Sequence, residues 1–429
     1  CWEEAARAGA EPDRVLAMLA VRAEANLHGW ATLHDDLTAA RRHRRRFLTL
    51  SHRWGFERCL PQALLMRCRE EVTDESHPPR CAFRWDPTLP FPPGMRAYFL
   101  DFLGHRARYL GETGLALRCF DHQEQLAATH SLSYEVQLAR LGRMLVHAQA
   151  GELSRARAEY AALAFSSAPL AWLGAVQLMW VGCLLELGAA DEAARELPAE
   201  PPPYGRLRWE FLRRWTDLQR GKGSLDEIRA LIDSPEGRIL RRVEARALHG
   251  LGLVAMPPIF KLHVFGSFDV VRLGTPSPVW PRRRSQALLA MLALQPDDQD
   301  AADLPERLFW DWLPSDPRAS LHAASAAARK ALRAIGGEHL LETRRWRHRL
   351  VTEAFDFNEL GEFETFFQQG ARQEAAGDRE LAAFWYAIAL HYVSGEPCEN
   401  LPELEPHLRE ALRDKIQRAR AGRSPLVSR

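Results

Sequence analysis

Three groups of basic and polar side chains between residues 282 and 347 have the types and spacing that suit nucleic acid. Guanidinium groups bind phosphate oxygens and the edges of guanine, so arginines repeated along a helix or hairpin are typical of DNA-contacting surfaces. The groups are an arginine triplet, a helical stripe with spacings of four, three, four and four residues, and a basic turn. We expect DNA contacts from Arg282, Arg283 and Arg284, from Arg318, His322, Ser325, Arg329 and Arg333, and from Arg344, Arg345 and Arg347.

The roles expected within these groups differ. Arg318, at the start of its helix, favours base edges, whereas Arg333, near the end, favours phosphate or an acidic neighbour. The triplet can hold phosphate at the beginning of a helix, where backbone N–H groups add to the attraction. The helix is rich in alanine, so we expect DNA shape to be read as well as bases. The alternative is that these basic faces are only solvated.

Other chemistries find little support in the sequence. The stretch Gly221–Ser224 resembles the end of a phosphate-binding loop, but Thr216 and Gly223 stand where that motif needs glycine and Ser or Thr. The sixteen histidines form no HExxH pair, no GxSxG elbow occurs, and the seven cysteines form no CxxC pair. We therefore expect no catalytic residue, no metal and no cofactor, and a protein that is not an enzyme.

The elements that position the basic groups are three helices and a hairpin. Apolar periodicity predicts helices over 285–294 and from 304 to about 312. A third begins at a capping Asp316 followed by Pro317, runs to Ile335 and stops at two glycines. Its buried stripe is Leu321, Ala324, Ala328, Leu332 and Ile335. Strands are predicted at 260–265, 268–273 and 278–280, and a hairpin pairs 339–343 with 348–352.

Strands, three helices and a hairpin in this order predict a winged helix-turn-helix over residues 257–353. Its third helix fits the major groove, and its hairpin fits the flanking backbone or minor groove. Residues 259–350 carry 14 Lys+Arg against 10 Asp+Glu, a modest positive balance in a chain whose net charge is +1. Double-stranded DNA is the expected partner.

Several motifs in this segment resemble one family, the Streptomyces antibiotic regulatory proteins. They are Phe265–Phe268, the helix Gln286–Leu294, Leu308–Asp311 and Ala327–Leu332, and they occur in the family order. Downstream, Phe355–Phe357 and Glu362–Glu364 resemble the start of that family's bacterial transcriptional activation domain, here over 354–429 and truncated. The resemblance implies a bacterial transcriptional activator that contacts RNA polymerase or another regulator, with two copies on direct repeats as a possible homodimer.

Residues 1–256 are predicted to be helical, with proline-rich breaks at 76–94 and 198–205. Gly111, Gly151 and Gly188 each precede an alanine by five residues, and they lie 40 and 37 residues apart. This pattern resembles tetratricopeptide-type repeats and predicts an α-solenoid whose concave surface binds a protein, a ligand or a second copy. The alternative is a helical stack that serves as a scaffold. The fold class expected for the whole chain is mainly α.

The composition of the 429 residues, 46% hydrophobic and 26% charged, is that of a globular protein. No run of eighteen apolar residues occurs, so we expect no membrane partner, and scattered thiols favour the cytoplasm. Because the chain begins with Cys1, we expect a fragment. Two other functions stay open: an interaction scaffold whose winged domain does not bind DNA, and an enzyme. A deep polar pocket with perturbed titratable groups would favour the enzyme.

Overall fold

The structure is a computed structural model that describes residues 12–33, 37–56, 59–79, 91–163, 170–202, 205–295, 299–300, 303–311, 314–344 and 347–423. The chain is mainly helical, as its periodicity predicts. It divides into two compact units, of which the first ends at Pro257 and the second begins at Pro258.

The described part of the first unit is built of helices. Their order along the chain is α1 (Pro12–Leu33), α2 (Leu37–Arg53), α3 (Leu60–Thr73), α4 (Pro93–Tyr109), α5 (Thr113–Thr129), α6 (Ser133–Gln149), α7 (Leu153–Ala161), α8 (Leu170–Glu186), α9 (Ala190–Glu196), α10 (Arg206–Gln219), α11 (Leu225–Asp233), α12 (Leu240–Val243) and α13 (Ala245–Gly250). Sequence neighbours such as α4 and α5 pack against each other.

The glycine and alanine repeat has the structural role that the sequence predicts. Gly111, Gly151 and Gly188 end α4, α6 and α8 with φ of 74°, 79° and 72°, a conformation that costs glycine no steric strain. At the first of these ends, the N–H groups of residues 111 and 112 donate to the carbonyls of residues 108 and 107, the paired bonds of a Schellman cap. The alanines five residues later, Ala116, Ala156 and Ala193, are fully buried where paired helices meet.

The second unit combines two small sheets with six helices. Its elements are β1 (Phe260–His263), β2 (Asp269–Arg272), α14 (Arg283–Leu294), β3 (Gln299–Asp300), α15 (Leu304–Leu308), α16 (Pro317–Ala334), β4 (Leu341–Arg344), β5 (Arg347–Leu350), β6 (Phe357–Asn358), α17 (Glu359–Ala375), α18 (Arg379–His391) and α19 (Pro406–Gly422). The first sheet has the order β2-β1-β6 and the second β3-β5-β4.

The predicted strand at 278–280 is wrong. Pro278 lacks the N–H that a ladder needs, and Val279 projects into solvent with 85% of its surface exposed. Trp280 instead packs beside β2, where its indole N–H donates to Asp269 Oδ1 at 3.2 Å. The third strand of the first sheet is β6, which runs parallel to β1. A second difference is that α15 ends at Leu308, a turn earlier than predicted.

Residues beyond 354 belong to the same compact unit as the segment before them. Besides the pairing of β6 with β1, Glu359 Oε2 accepts hydrogen bonds from the backbone N–H groups of Val264 and Phe265 at 2.7 and 2.8 Å. Asn400 binds the backbone of Phe268 in the same way, since its Oδ1 accepts a hydrogen bond from the Phe268 N–H at 2.8 Å. The side chains at the start of α17 and in the loop between α18 and α19 therefore bind backbone N–H groups of the segment between β1 and β2.

Candidate nucleic-acid interface

Helix α16 is fixed at its start and along one face. Asp316 is its N-cap, accepting from the Ala319 N–H at 2.9 Å, and Pro317 occupies the first turn, as predicted. All five residues of the predicted buried stripe are at most 4% exposed, and the stripe packs on α14 and α15. The side chains on the opposite face are therefore held in a defined position relative to the rest of the unit.

The exposed face of α16 carries Arg318, His322, Ala326, Lys330 and Arg333. Lys330 is missing from the sequence-based candidates, although a spacing of four from Ala326 and eight from His322 places it on the same face. Between Arg318 and Arg333 the helix rises about 22 Å.

Ser325 does not belong to the exposed face, which corrects its assignment as a DNA contact. Its side chain is 3% exposed, and its Oγ lies 3.5 Å from Nδ1 of His348 on β5. At 100° per residue, the step of three from His322 turns position 325 back by about 60° and places it about 20° from Leu332 of the buried stripe.

A small polar network joins α16 to the hairpin. Arg329 donates a hydrogen bond to Thr343 Oγ1, and this hydroxyl lies 3.2 Å from His348 Nδ1. Burial lowers the pKa of His348, and the charges of Arg329 and His322 lower it further. His348 is therefore neutral near pH 7, and Arg329 is half-buried and connects two elements within the unit.

Arg333, the last arginine of the stripe, has an acidic neighbour, which is one of the two partners expected from the sequence. Arg333 forms an ion pair with Glu338 just past the end of α16, and both side chains are at least half exposed. The hydrogen bond between them raises the pKa of Arg333 and lowers that of Glu338. Exposed pairs of this kind contribute little to stability, so Arg333 can exchange Glu338 for a phosphate at small cost.

The arginine triplet before α14 divides into two roles. Arg282 and Arg283 are exposed. Arg284 points into the unit, donating to the Leu308 carbonyl and to Asp311, with its guanidinium 5.5 Å from the centre of the Phe309 ring. Its interpretation as a phosphate ligand is corrected, because it holds the turn that follows α15.

A hairpin is formed by β4 and β5, with Arg344 opposite Arg347, so its strands reach one residue closer to the turn and end two residues earlier at the base than the predicted 339–343 and 348–352. Arg347 is exposed. The side chain of Arg344 and the whole of Arg345 lie outside the described residues, and so does Trp346 between them. A third strand, β3, pairs with β5 and supports the hairpin on its other side. Among the predicted DNA contacts, the residues that the structure places on the surface are Arg282, Arg283, Arg318, His322, Arg333 and Arg347.

The first unit contains a cavity of about 200 Å³ whose wall is mainly apolar. Asp101 and His105 line it, with Asp101 Oδ1 3.7 Å from His105 Nε2. Burial raises the pKa of Asp101 to about 7, while burial and the charges of Arg108 and Arg69 lower the pKa of His105 to about 3. Burial also raises the pKa of the Cys183 thiol, which leaves that sulfur protonated and a poor nucleophile.

The hydroxyl groups in the cavity wall are also engaged. Thr32 and Thr73 each donate to a carbonyl of their own helix. Among the lining residues that the structure describes, no hydroxyl or thiol is hydrogen-bonded to a base, so the cavity lacks the pairing that activates a nucleophile. In the described part of the chain, no three His, Cys, Asp or Glu side chains are grouped as around a metal ion.

Comparison with known proteins finds one distant likeness. No family model matches the chain, and no curated protein matches it. Among solved structures, the chain is similar to Mycobacterium tuberculosis EmbR in complex with low affinity phosphopeptide, with 23% identity, a TM-score of 0.34, and coverage of 39% of this chain and 45% of that one. None of the helices in the described ranges is long and apolar enough to cross a membrane.

Proposed function

We propose that this protein is a transcriptional regulator that binds duplex DNA through a winged helix-turn-helix at 257–353. The observation that carries the proposal is the exposed pair Arg318 and His322 at the capped start of α16, a helix whose opposite face is fully packed. A rigid helix with cations at its N-terminal end is the element that reads bases in the major groove.

In this mechanism Arg318 binds a guanine edge and His322 a base edge or an adjacent phosphate. Ala319 and Ala326 share the exposed face, and their small side chains let the helix backbone come close to the bases. Lys330 and Arg333 then lie near the phosphate backbone, and Arg282, Arg283 and Arg347 add cations to the same footprint. Few side chains read bases directly, so DNA shape contributes to specificity.

The flanking regions take the roles that the resemblance to Streptomyces antibiotic regulatory proteins implies. We infer that residues 354–429 form the start of a transcriptional activation domain that contacts RNA polymerase. We also infer that residues 1–256 form a tetratricopeptide-like domain that binds another protein or a ligand.

The test measures DNA affinity by fluorescence anisotropy with the full chain. The DNA is selected from genomic fragments, because the sequence does not define an operator. Arg318→Ala with His322→Ala should weaken binding by about 10- to 100-fold, since one bidentate base contact contributes about 1–3 kcal/mol.

The matched control is Arg379→Ala with His407→Ala, which removes the same two residue types from exposed positions of the C-terminal helices. It should leave affinity within twofold of the wild type. Equal losses from both pairs, or no binding to any DNA at low salt, would favour the interaction scaffold instead.

A further inference from the structure

Helix α2 in the first unit concentrates more positive charge than any segment of the proposed DNA-binding domain. Its 17 residues include six arginines and two histidines and no Asp or Glu. These cations divide into two sets by the direction in which they point. Only one set is needed to hold the helix in place.

The inward set is paired with carboxylates that are at most 15% exposed, although the Arg41 side chain is itself 45% exposed. Arg44 Nε donates to Glu70 Oε1 at 2.9 Å, and His43 Nδ1 lies 2.7 Å from Glu24 Oε2. Arg41 reaches Asp74 at 3.4 Å. Hydrogen bonds from His28 and Arg44 overcome the effect of burial and lower the pKa of Glu70. These pairs fix α2 between α1 and α3, so they are structural.

The outward set forms what we call the basic face, made of Arg42, Arg45, Arg46, His52 and Arg53. At 100° per residue these positions, with Thr49 among them, fall within an arc of about 120°, and they extend about 17 Å along the helix. All five are exposed. Arg46 lies 3.9 Å from Glu24, whereas Arg42, Arg45 and Arg53 have no carboxylate within ion-pair distance among the described residues.

The chemistry of the basic face selects its partner. Protein interfaces have apolar or aromatic centres, but the apolar residues of α2 are turned inward, with Phe47 2% exposed and Leu48 and Leu50 packed beside it. The same packing leaves no apolar side for a membrane surface. No Phe, Tyr or Trp ring lies on the basic face to stack on an unpaired base. The backbone of duplex DNA, in contrast, requires only cations.

We propose that the basic face of α2 binds the phosphate backbone of duplex DNA without regard to sequence, as a second DNA contact independent of α16. A row of guanidinium groups about 17 Å long can neutralise several phosphates and release their counterions. This contact adds affinity and strong salt dependence but no base preference.

The experiment compares full-length variants on a 30-base-pair duplex of random sequence over a range of NaCl concentrations. Arg42→Gln, Arg45→Gln and Arg53→Gln together should make the slope of log affinity against log salt shallower by about 2.7, or 0.9 for each lost phosphate contact. The matched control, Arg195→Gln, Arg206→Gln and Arg238→Gln, removes the same charge from exposed positions of the same unit. Its slope should match the wild type. Circular dichroism verifies that each variant is folded.

The outcomes separate this inference from the proposed function. If the α2 variant has the same slope as the control, the basic face does not bind DNA, even where Arg318→Ala with His322→Ala weakens binding. If the α2 variant is weakened equally on random and selected DNA, the inference holds, even where the α16 variant has no effect. Tighter binding of single-stranded RNA with the same number of phosphates would overturn the assignment to duplex DNA.

Discussion

Helices α2 and α16 are both rich in arginine, yet their surroundings suit them to different tasks. On α16 the cations are separated by Ala319 and Ala326, and a packed, capped helix holds them in place. On α2 arginines occupy most of the exposed positions. Alanines allow a backbone to approach base edges, whereas a continuous layer of guanidinium groups keeps it at the distance of the phosphates. In the proposed mechanism, the residues between the arginines, more than the arginines themselves, separate base reading from charge neutralisation.

The largest expected effect on DNA binding comes from unfolding the unit that carries α16 while the basic face of α2 stays in place. Leu332 is fully buried under α16, so Leu332→Ala should destabilise the second unit by about 2–5 kcal/mol. Thermal unfolding followed by calorimetry should show the transition of the second unit at a lower temperature and the transition of the first unit unchanged. Where the second unit is unfolded, sequence preference should disappear and salt-dependent binding should remain. Loss of all DNA binding would show that α2 contributes none.

The next effect distinguishes base contact from charge contact on α16 itself. Lys330→Gln should weaken binding to selected and random DNA by the same factor, about threefold, because a phosphate contact carries no sequence information. Arg318→Gln should weaken binding to selected DNA by about tenfold and binding to random DNA much less. The ratio of the two affinities, measured by competition, tests whether the N-terminal end of the helix is the part that reads bases. An equal ratio of selected to random affinity in the two variants would contradict base reading by Arg318 and phosphate contact by Lys330.

The network between α16 and the hairpin should make the second unit sensitive to acid. The pKa of folded His348 is lowered below its usual 6.5, so the unfolded chain binds the proton more strongly. The stability from neutral His348 is complete above about pH 6.5 and decreases as pH falls below that value. His348→Gln should reduce the fall in melting temperature between pH 7 and pH 5. An identical pH profile in this variant would mean that another group is responsible.

In the first unit a titratable group in the cavity should have the opposite dependence on pH. The pKa of Asp101 rises from 3.8 to about 7 on folding, so its contribution to stability is complete below pH 3.8 and lost as pH rises through 7. Asp101→Asn should therefore raise the melting temperature of the first unit at pH 8 more than at pH 5. Differential scanning calorimetry at the two pH values measures this, and an equal shift at both would contradict it.

The smallest expected effect concerns the ion pair at the end of α16. Glu338→Gln frees Arg333 and removes one negative charge from the proposed interface. Affinity for random DNA should rise by less than about fivefold, while the melting temperature of the unit should stay nearly the same, because exposed ion pairs contribute little to stability. Anisotropy and thermal melting measure the two quantities. A fall in affinity would indicate that Glu338 positions Arg333 for contact.

Local patterns predicted the elements but not all of their partners. The buried stripe of α16, its Asp316 cap and the positive φ of Gly111 follow from periodicity and turn chemistry, and the structure has all three. Ser325 was misassigned because its spacing lies close to the border between two faces. The pairing of β1 with β6 joins residues almost a hundred positions apart, and no local pattern encodes it.

The charge of α2 does not appear in the net charge of a long segment, because acidic residues elsewhere in the first 256 positions cancel its six arginines. Exposure determines the strength of a charged surface, and the sum contains no information on exposure. A window of one helix would have detected the cluster, although not which of its members are paired.

The dependence of β1 on β6 sets an order of events during synthesis. The ribosome completes α16 and the hairpin before it reaches Asn358, and until then one edge of β1 has no neighbouring strand. The Val264 and Phe265 N–H groups likewise lack their hydrogen-bond acceptor until Glu359 is synthesised. A nascent chain that has just finished its hairpin therefore exposes an open edge to other nascent chains. Once they are synthesised, β6 and Glu359 cover this edge and protect it from pairing with strands of other chains.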